Sequence, residues 1–135
     1  MTASNTILTD GFGRTHNYLR ISLLEKCNLR CTYCMPADGI ALSPKASLMT
    51  ADEIFGIAQT FAQNGVDKIR LTGGEPLLRK DFPEIISKLA ALNISLSITT
   101  NGILIDRHIE SLKQFKIKKS NLSLDTLVSS KFHSI

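Results

Sequence analysis

The sequence predicts an α/β fold, about four parallel strands with helices on their outer side. Three observations lead there. Strand-like and helix-like stretches alternate as βαβαβαβ from residue 18 onward, most connections between them are short, and each strand alternates apolar and polar residues. No tandem module or internal linker interrupts the pattern, so residues 1–135 read as one domain.

The elements follow in order. Residues 18–23 are the first strand candidate, leading into a cysteine-bearing loop and a long connection, 35–49, that carries Pro36, Gly39 and Pro44. Thr50 opens a helix: Thr50 and Glu53 have the spacing of a capping box, and Met49 can staple onto Ile54. Ile54, Ala58, Phe61 and Ala62 recur at helical spacing, and Asn64-Gly65 suits a left-handed end cap. Residues 66–72 form the second strand. The next helix starts near Asp81, with Pro83 in its first turn, Glu84 at the capping position, and Ile85, Ile86, Leu89 and Leu92 on its apolar face. Residues 94–99 are a third strand, Asn101-Gly102 a turn and 104–115 a third helix. A fourth strand begins near Lys119 and takes in 122–125.

A parallel sheet covered on both faces reads as near-continuous apolar runs. These strands do not. Leu19, Ile21 and Leu23 oppose Arg20 and Ser22; Ile69 and Leu71 oppose Lys68, Arg70 and Thr72; Leu96 and Ile98 oppose Ser95, Ser97 and Thr99; Leu122 and Leu124 oppose Asn121, Ser123 and Asp125. Strand side chains alternate faces, so the apolar set is expected under the helices and a polar face opposite. A polar inner face is costly unless water or a ligand satisfies it, which makes it either a ligand cavity or a half-exposed sheet.

The net charge of +4 suits an anionic ligand such as a nucleotide, and equally an ordinary solvated surface. Lys113, Lys116, Lys118 and Lys119 read as solvated charge at a helix end, so no nucleic-acid partner is expected. No stretch reaches the roughly eighteen apolar residues of a membrane span, and residues 1–10 lack a signal core or a transit-peptide pattern. A cytoplasmic location without membrane association is the expectation.

The three cysteines of the chain, Cys27, Cys31 and Cys34, are spaced C-x3-C-x2-C on the loop after the first strand. An odd, tightly packed set is a poor disulfide framework. Three thiolates on a loop can reach three corners of an iron–sulfur cluster and leave one iron open to a small molecule. Zinc is the competing metal, although a structural zinc site wants four donors and nothing places His16 near the cysteines; inert thiols are the third reading. At the end of the second strand stands Gly73-Gly74-Glu75-Pro76. Paired glycines there permit close backbone approach to a ligand, and Glu75 can accept from an ammonium or a hydroxyl. In α/β barrels ligands bind at that end of the strands. The turn lacks the spacing of dinucleotide and P-loop sites.

Together, Cys27–Cys34 and Gly73-Gly74-Glu75-Pro76 resemble the radical S-adenosylmethionine (SAM) superfamily. Within it, the chain is similar to the molybdenum cofactor biosynthesis protein A family of GTP cyclases. That likeness extends over residues 10–14, 18–22, 27–36, 68–77, 99–102 and 121–125. The resemblance implies the N-terminal portion of a partial, six-stranded TIM-like barrel. It implies a [4Fe–4S] cluster on Cys27, Cys31 and Cys34, with SAM on the open iron. Cleavage of SAM would give a 5′-deoxyadenosyl radical that abstracts hydrogen from GTP. Tyr33, Gly74 and Ser123 match SAM-contacting positions, and Arg20, Arg70 and Thr99 match positions that contact GTP. Implied partners are GTP, a low-potential electron donor and the downstream pterin-forming enzyme, and the likeness leaves room for a homodimer.

Members of that family are roughly twice as long or more, with a C-terminal segment holding a second three-cysteine cluster. The chain is therefore expected to be the front part of such a protein, able to hold the first cluster but not to turn over GTP alone. The alternatives are a different radical SAM enzyme (peptide-modifying or enzyme-activating), a ferredoxin-like carrier and a zinc-binding module.

Overall fold

The computed structural model describes residues 8–25, 47–115, 117 and 119–122. Four strands, β1 (Tyr18–Ser22), β2 (Lys68–Thr72), β3 (Ser95–Thr100) and β4 (Lys119–Leu122), form one parallel sheet in sequential order. Helices α1 (Ala51–Gln63), α2 (Phe82–Ala90) and α3 (Ile105–Gln114) precede β2, β3 and β4 in turn, as parallel pairing requires. A single 3-10 turn, Pro76–Leu78, which periodicity does not reveal, follows β2.

The register aligns the apolar residues in rows. Leu19, Ile69 and Leu96 are partners across β1, β2 and β3, and Ile21, Leu71 and Ile98 form the next row. Ile69, Leu71 and Ile98 are fully buried and share one core cluster with Ile54 and Ala58 of α1 and Phe82, Ile85, Ile86 and Leu89 of α2. On the other face Tyr18, Arg20, Ser22, Lys68 and Ser95 are exposed, while Arg70, Thr72 and Thr99 are half-buried. The predicted division into an apolar and a polar face thus holds across β1–β3. Ser97 departs from it: it is buried, and its hydroxyl donates to the Ile69 carbonyl at 3.5 Å. Leu122 departs in the other direction. It is 55% exposed and lies against the Gly102 turn, where a Cβ would stand 2.3 Å from Leu122 Cδ1.

The predicted capping box at the start of α1 is realised. The Thr50 hydroxyl accepts from the Glu53 amide at 3.1 Å, and the Glu53 carboxylate accepts from the Thr50 amide at 2.8 Å. Strand β2 begins at Lys68 rather than residue 66, because the Val66 amide closes the end of α1 by donating to the Phe61 carbonyl at 3.0 Å. At α2, Glu84 does not cap. Asp81 is the N-cap residue, and it makes no capping bond because its two carboxylate oxygens receive the Arg79 guanidinium at 2.9 and 2.8 Å. Residues 123–125 lie outside the described residues.

Before β1, Thr9 and Thr15 form an antiparallel bridge around the Asp10–Arg14 turn. The Asp10 carboxylate accepts from the amides of Phe12 and Arg14 and from Arg14 Nε at 2.7 Å. The Arg14 amide, foremost among these, holds the Asp10 carboxyl below the ordinary carboxylate range.

Truncating Ile69 to alanine should destabilise the fold by about 3 kcal/mol, since a fully enclosed side chain leaves a cavity. Ser95→Ala, on the exposed face, should stay within about 0.5 kcal/mol. Urea unfolding of the two variants checks the assignment of faces.

Candidate functional site

The ends of β1, β2 and β3 converge on the Gly73–Pro76 turn, and hydrogen bonds between distant segments explain how. As the chain leaves β1, the Leu23 amide continues the ladder to the Thr72 carbonyl at 2.9 Å, and the Gly74 amide donates to the Leu24 carbonyl at 2.8 Å. Gly73 has φ +141°, and a Cβ there would stand 2.6 Å from the Leu24 carbonyl oxygen. The close approach that Gly73 permits is therefore to the protein's own backbone. The same contact brings the segment leading to Cys27 against the glycine turn.

Glu75 is fully buried. One carboxylate oxygen accepts from the Thr100 hydroxyl at 2.6 Å and from the Leu77 amide at 3.2 Å; the other accepts from the Asn101 amide at 2.8 Å. A buried carboxylate is tolerated when its lone pairs are met in this way. Glu75 accepts from a hydroxyl, as expected, but from one the protein supplies: it fastens the loop after β2 to the loop after β3.

A second knot was not legible in the sequence. The Arg79 side chain is 9% exposed, and its guanidinium donates to the Leu23 carbonyl at 3.0 Å, the Met49 carbonyl at 2.9 Å and both oxygens of Asp81. It ties the end of β1 to the start of α1 and the start of α2. The only hint in the sequence is the Arg-x-Asp spacing of Arg79 and Asp81.

The polar face carries the remaining candidates. Arg20 and Arg70 are register partners on β1 and β2. Arg70 Nη1 donates to the Thr99 hydroxyl at 3.2 Å, and Arg70 Nε donates to the Tyr18 hydroxyl. Like charges directly opposite in a sheet are unfavourable, so this pair, with Lys68 on the same face, is suited to an anion. Arg20, Arg70 and Thr99 are thereby gathered on one face, and Gly74 lies at the strand ends beside it. Cys27, Cys31, Cys34, Tyr33 and Ser123 lie outside the described residues. Tyr18 had no assigned role; its place two residues before Arg20 was the available signal.

A family model described as the Radical SAM superfamily matches residues 21–133. The chain is 53% identical over 133 residues to the mouse (Mus musculus) molybdenum cofactor biosynthesis protein 1, covering 97% of this chain and 21% of that protein. It is 52% identical over 128 residues to the mitochondrial GTP 3′,8-cyclase of Arabidopsis thaliana, covering 93% of this chain and 33% of that one. It is 43% identical to the GTP 3′,8-cyclase of Listeria welshimeri, covering 96% of this chain and 39% of the relative. The chain thus spans between a fifth and two fifths of these relatives' length. Among solved structures, Streptococcus suis SuiB bound to S-adenosylmethionine superposes with a TM-score of 0.71 at 29% identity, over 88% of this chain and 26% of that one. SuiB bound to its precursor peptide SuiA superposes with a TM-score of 0.75 at 28% identity, with the same coverage.

Glu75→Gln should destabilise the chain by about 2 kcal/mol, because the amide keeps one acceptor and turns a donor toward groups that themselves donate. Denaturant unfolding against the parent chain measures it.

Proposed function

Because the chain belongs to the radical SAM superfamily, we propose that it is the N-terminal part of a GTP 3′,8-cyclase, the enzyme that opens molybdenum cofactor biosynthesis. The observation that carries this reading is 52% identity to a protein named GTP 3′,8-cyclase over 93% of the chain, well above the 28–29% shared with SuiB. The opposed arginines of the polar face supply a physical reason for an anionic nucleotide.

The donor set suits a [4Fe–4S] cluster. Cys27, Cys31 and Cys34 provide three thiolates on one short segment, one fewer than a fully cysteine-ligated cluster uses, and in this reading the remaining iron takes the amino and carboxylate groups of SAM. Held by Cys27, Cys31 and Cys34, such a cluster would supply the one-electron reduction by which SAM is split into methionine and a hydrogen-abstracting fragment. The chain's own residues bind and orient. Tyr33, Gly74 and Ser123 contact SAM in this reading, Gly74 with its amide already held by Leu24. Arg20, Arg70 and Thr99 contact GTP. Arg20 is an exposed cation, and Arg70 a half-buried one seated on Thr99. The glycine turn is pinned to the exit of β1, the strand after which the cysteine motif follows in the sequence.

The partners that follow are GTP, a low-potential reductant and the pterin-forming enzyme that takes the product; a homodimer is compatible with the reading. Three cysteines used as cluster ligands suit a reducing compartment such as the cytoplasm. No helix among the described residues is long and apolar enough to cross a membrane.

The test is anaerobic reconstitution of the intact protein containing this chain. It should take up about four irons at this site, lose them on Cys27→Ala, and change its electron paramagnetic resonance spectrum on adding SAM. Arg20→Ala and Arg70→Ala should each weaken GTP binding roughly tenfold or more while SAM binding is kept. Unchanged GTP affinity in both variants overturns the cyclase reading and favours a different substrate, such as the peptide that SuiB binds.

A further inference from the structure

Tyr18 is the one large aromatic side chain on the polar face of the described strands. It is 43% exposed and stands in register with Lys68, two positions before Arg20. Its hydroxyl accepts from Arg70 Nε, and the Arg70 guanidinium carbon lies 5.9 Å from the centre of its ring. From the opposite side, the Thr99 hydroxyl accepts from Arg70 Nη1. The guanidinium of the middle strand is thus held at two points, one on each neighbouring strand.

Two consequences follow from elementary electrostatics and entropy. An arginine free on a sheet surface has rotamer entropy to lose when a ligand captures it; anchoring on Tyr18 and Thr99 lowers that cost before the ligand arrives. Both anchors are neutral. A carboxylate in either place would hold the guanidinium as well or better, but it would cancel the charge that an anion needs. Phenol and alcohol fix the geometry and leave the full positive charge available. Arg20 supplies the contrast: it is exposed, and its side chain makes no hydrogen bond to any of the described residues. Among the described residues the two opposed arginines therefore differ in kind, one anchored on hydroxyls and one without such an anchor.

We propose that Tyr18 is a positioning residue that pre-orients the Arg70 guanidinium for the anionic substrate, acting through Arg70 and not by touching the ligand. The proposal rests on the cyclase reading, in which that substrate is GTP and Arg70 contacts it.

The experiment is a double-mutant cycle on GTP binding in the intact, anaerobically reconstituted protein, with Tyr18→Phe, Arg70→Ala and the pair. Tyr18→Phe keeps the ring and removes the acceptor. It should raise the GTP dissociation constant roughly three- to tenfold, appearing as a raised KM with kcat little changed, while the thermal midpoint and SAM affinity stay at the parent value. In the Arg70→Ala background, Tyr18→Phe should have no further effect. Equal weakening in both backgrounds means that Tyr18 acts independently of Arg70 and overturns the proposal. Weakening by Arg70→Ala with none by Tyr18→Phe also overturns it while leaving the cyclase reading standing. No weakening by Arg70→Ala removes the premise, and the proposal falls with it.

Discussion

Leu19, Ile69 and Leu96 form one row across β1, β2 and β3, and Ile21, Leu71 and Ile98 the next. That parallel register is the constraint on which the rest depends. Side chains alternate along a strand, so a slip of one residue in β2 would bring Arg70 under the helices and turn Ile69 or Leu71 toward water. An unpaired guanidinium in a core of Ile54, Ile85 and Leu89 would be severely penalised. The hydrophobic face therefore sets the register, and the register sets the polar face. Arg20 is placed opposite Arg70 as a consequence, despite the repulsion between them.

The ends of the strands need a different kind of fastening, since hydrophobic rows specify register but not the paths of loops. Two buried charged groups provide it. Glu75 gathers donors from Leu77, Thr100 and Asn101, and Arg79 gathers the carbonyls of Leu23 and Met49 with the Asp81 carboxylate. Each satisfies backbone groups that would otherwise be orphaned where elements begin or end. The net effect on stability matters less than the cost of losing one partner, because the other groups are left buried and unmet. The glycine turn is squeezed between these knots and the exit of β1, which is why Gly73 has no room for a Cβ.

The charges on the polar face are treated in the opposite manner. Arg79 in the interior is matched to a carboxylate, whereas Arg70 on the polar face is matched, among the described residues, to the hydroxyls of Tyr18 and Thr99. The first arrangement uses the charge up and the second keeps it available. This difference separates a guanidinium whose charge is consumed by the scaffold from one whose charge no described carboxylate neutralises.

Much of the fold was legible from local pattern. The capping box of Thr50 and Glu53, the end of α1 at Asn64-Gly65, and the two-faced strands all depend on residues within a few positions of one another; the first two appear as read, and the two faces hold across β1–β3 except at Ser97. Cys27, Cys31 and Cys34 were read as cluster ligands from spacing and resemblance, and they lie outside the described residues. Misreadings arose where a long-range partner intervened: Glu84 does not cap α2, and Asp81 cannot, because Arg79 holds the Asp81 carboxylate. Glu75 looked like a ligand acceptor until Thr100, 25 residues away, was found bonded to it. Tyr18 meets Arg70 across 52 residues, and Arg79 meets Leu23 across 56. The sequence by itself determined which residue types lie on which face, because side-chain alternation is a local property of an extended chain. Only the tertiary structure decided which charges are consumed by the scaffold and which remain for a ligand, because that depends on partners brought together by strand pairing from distant parts of the chain.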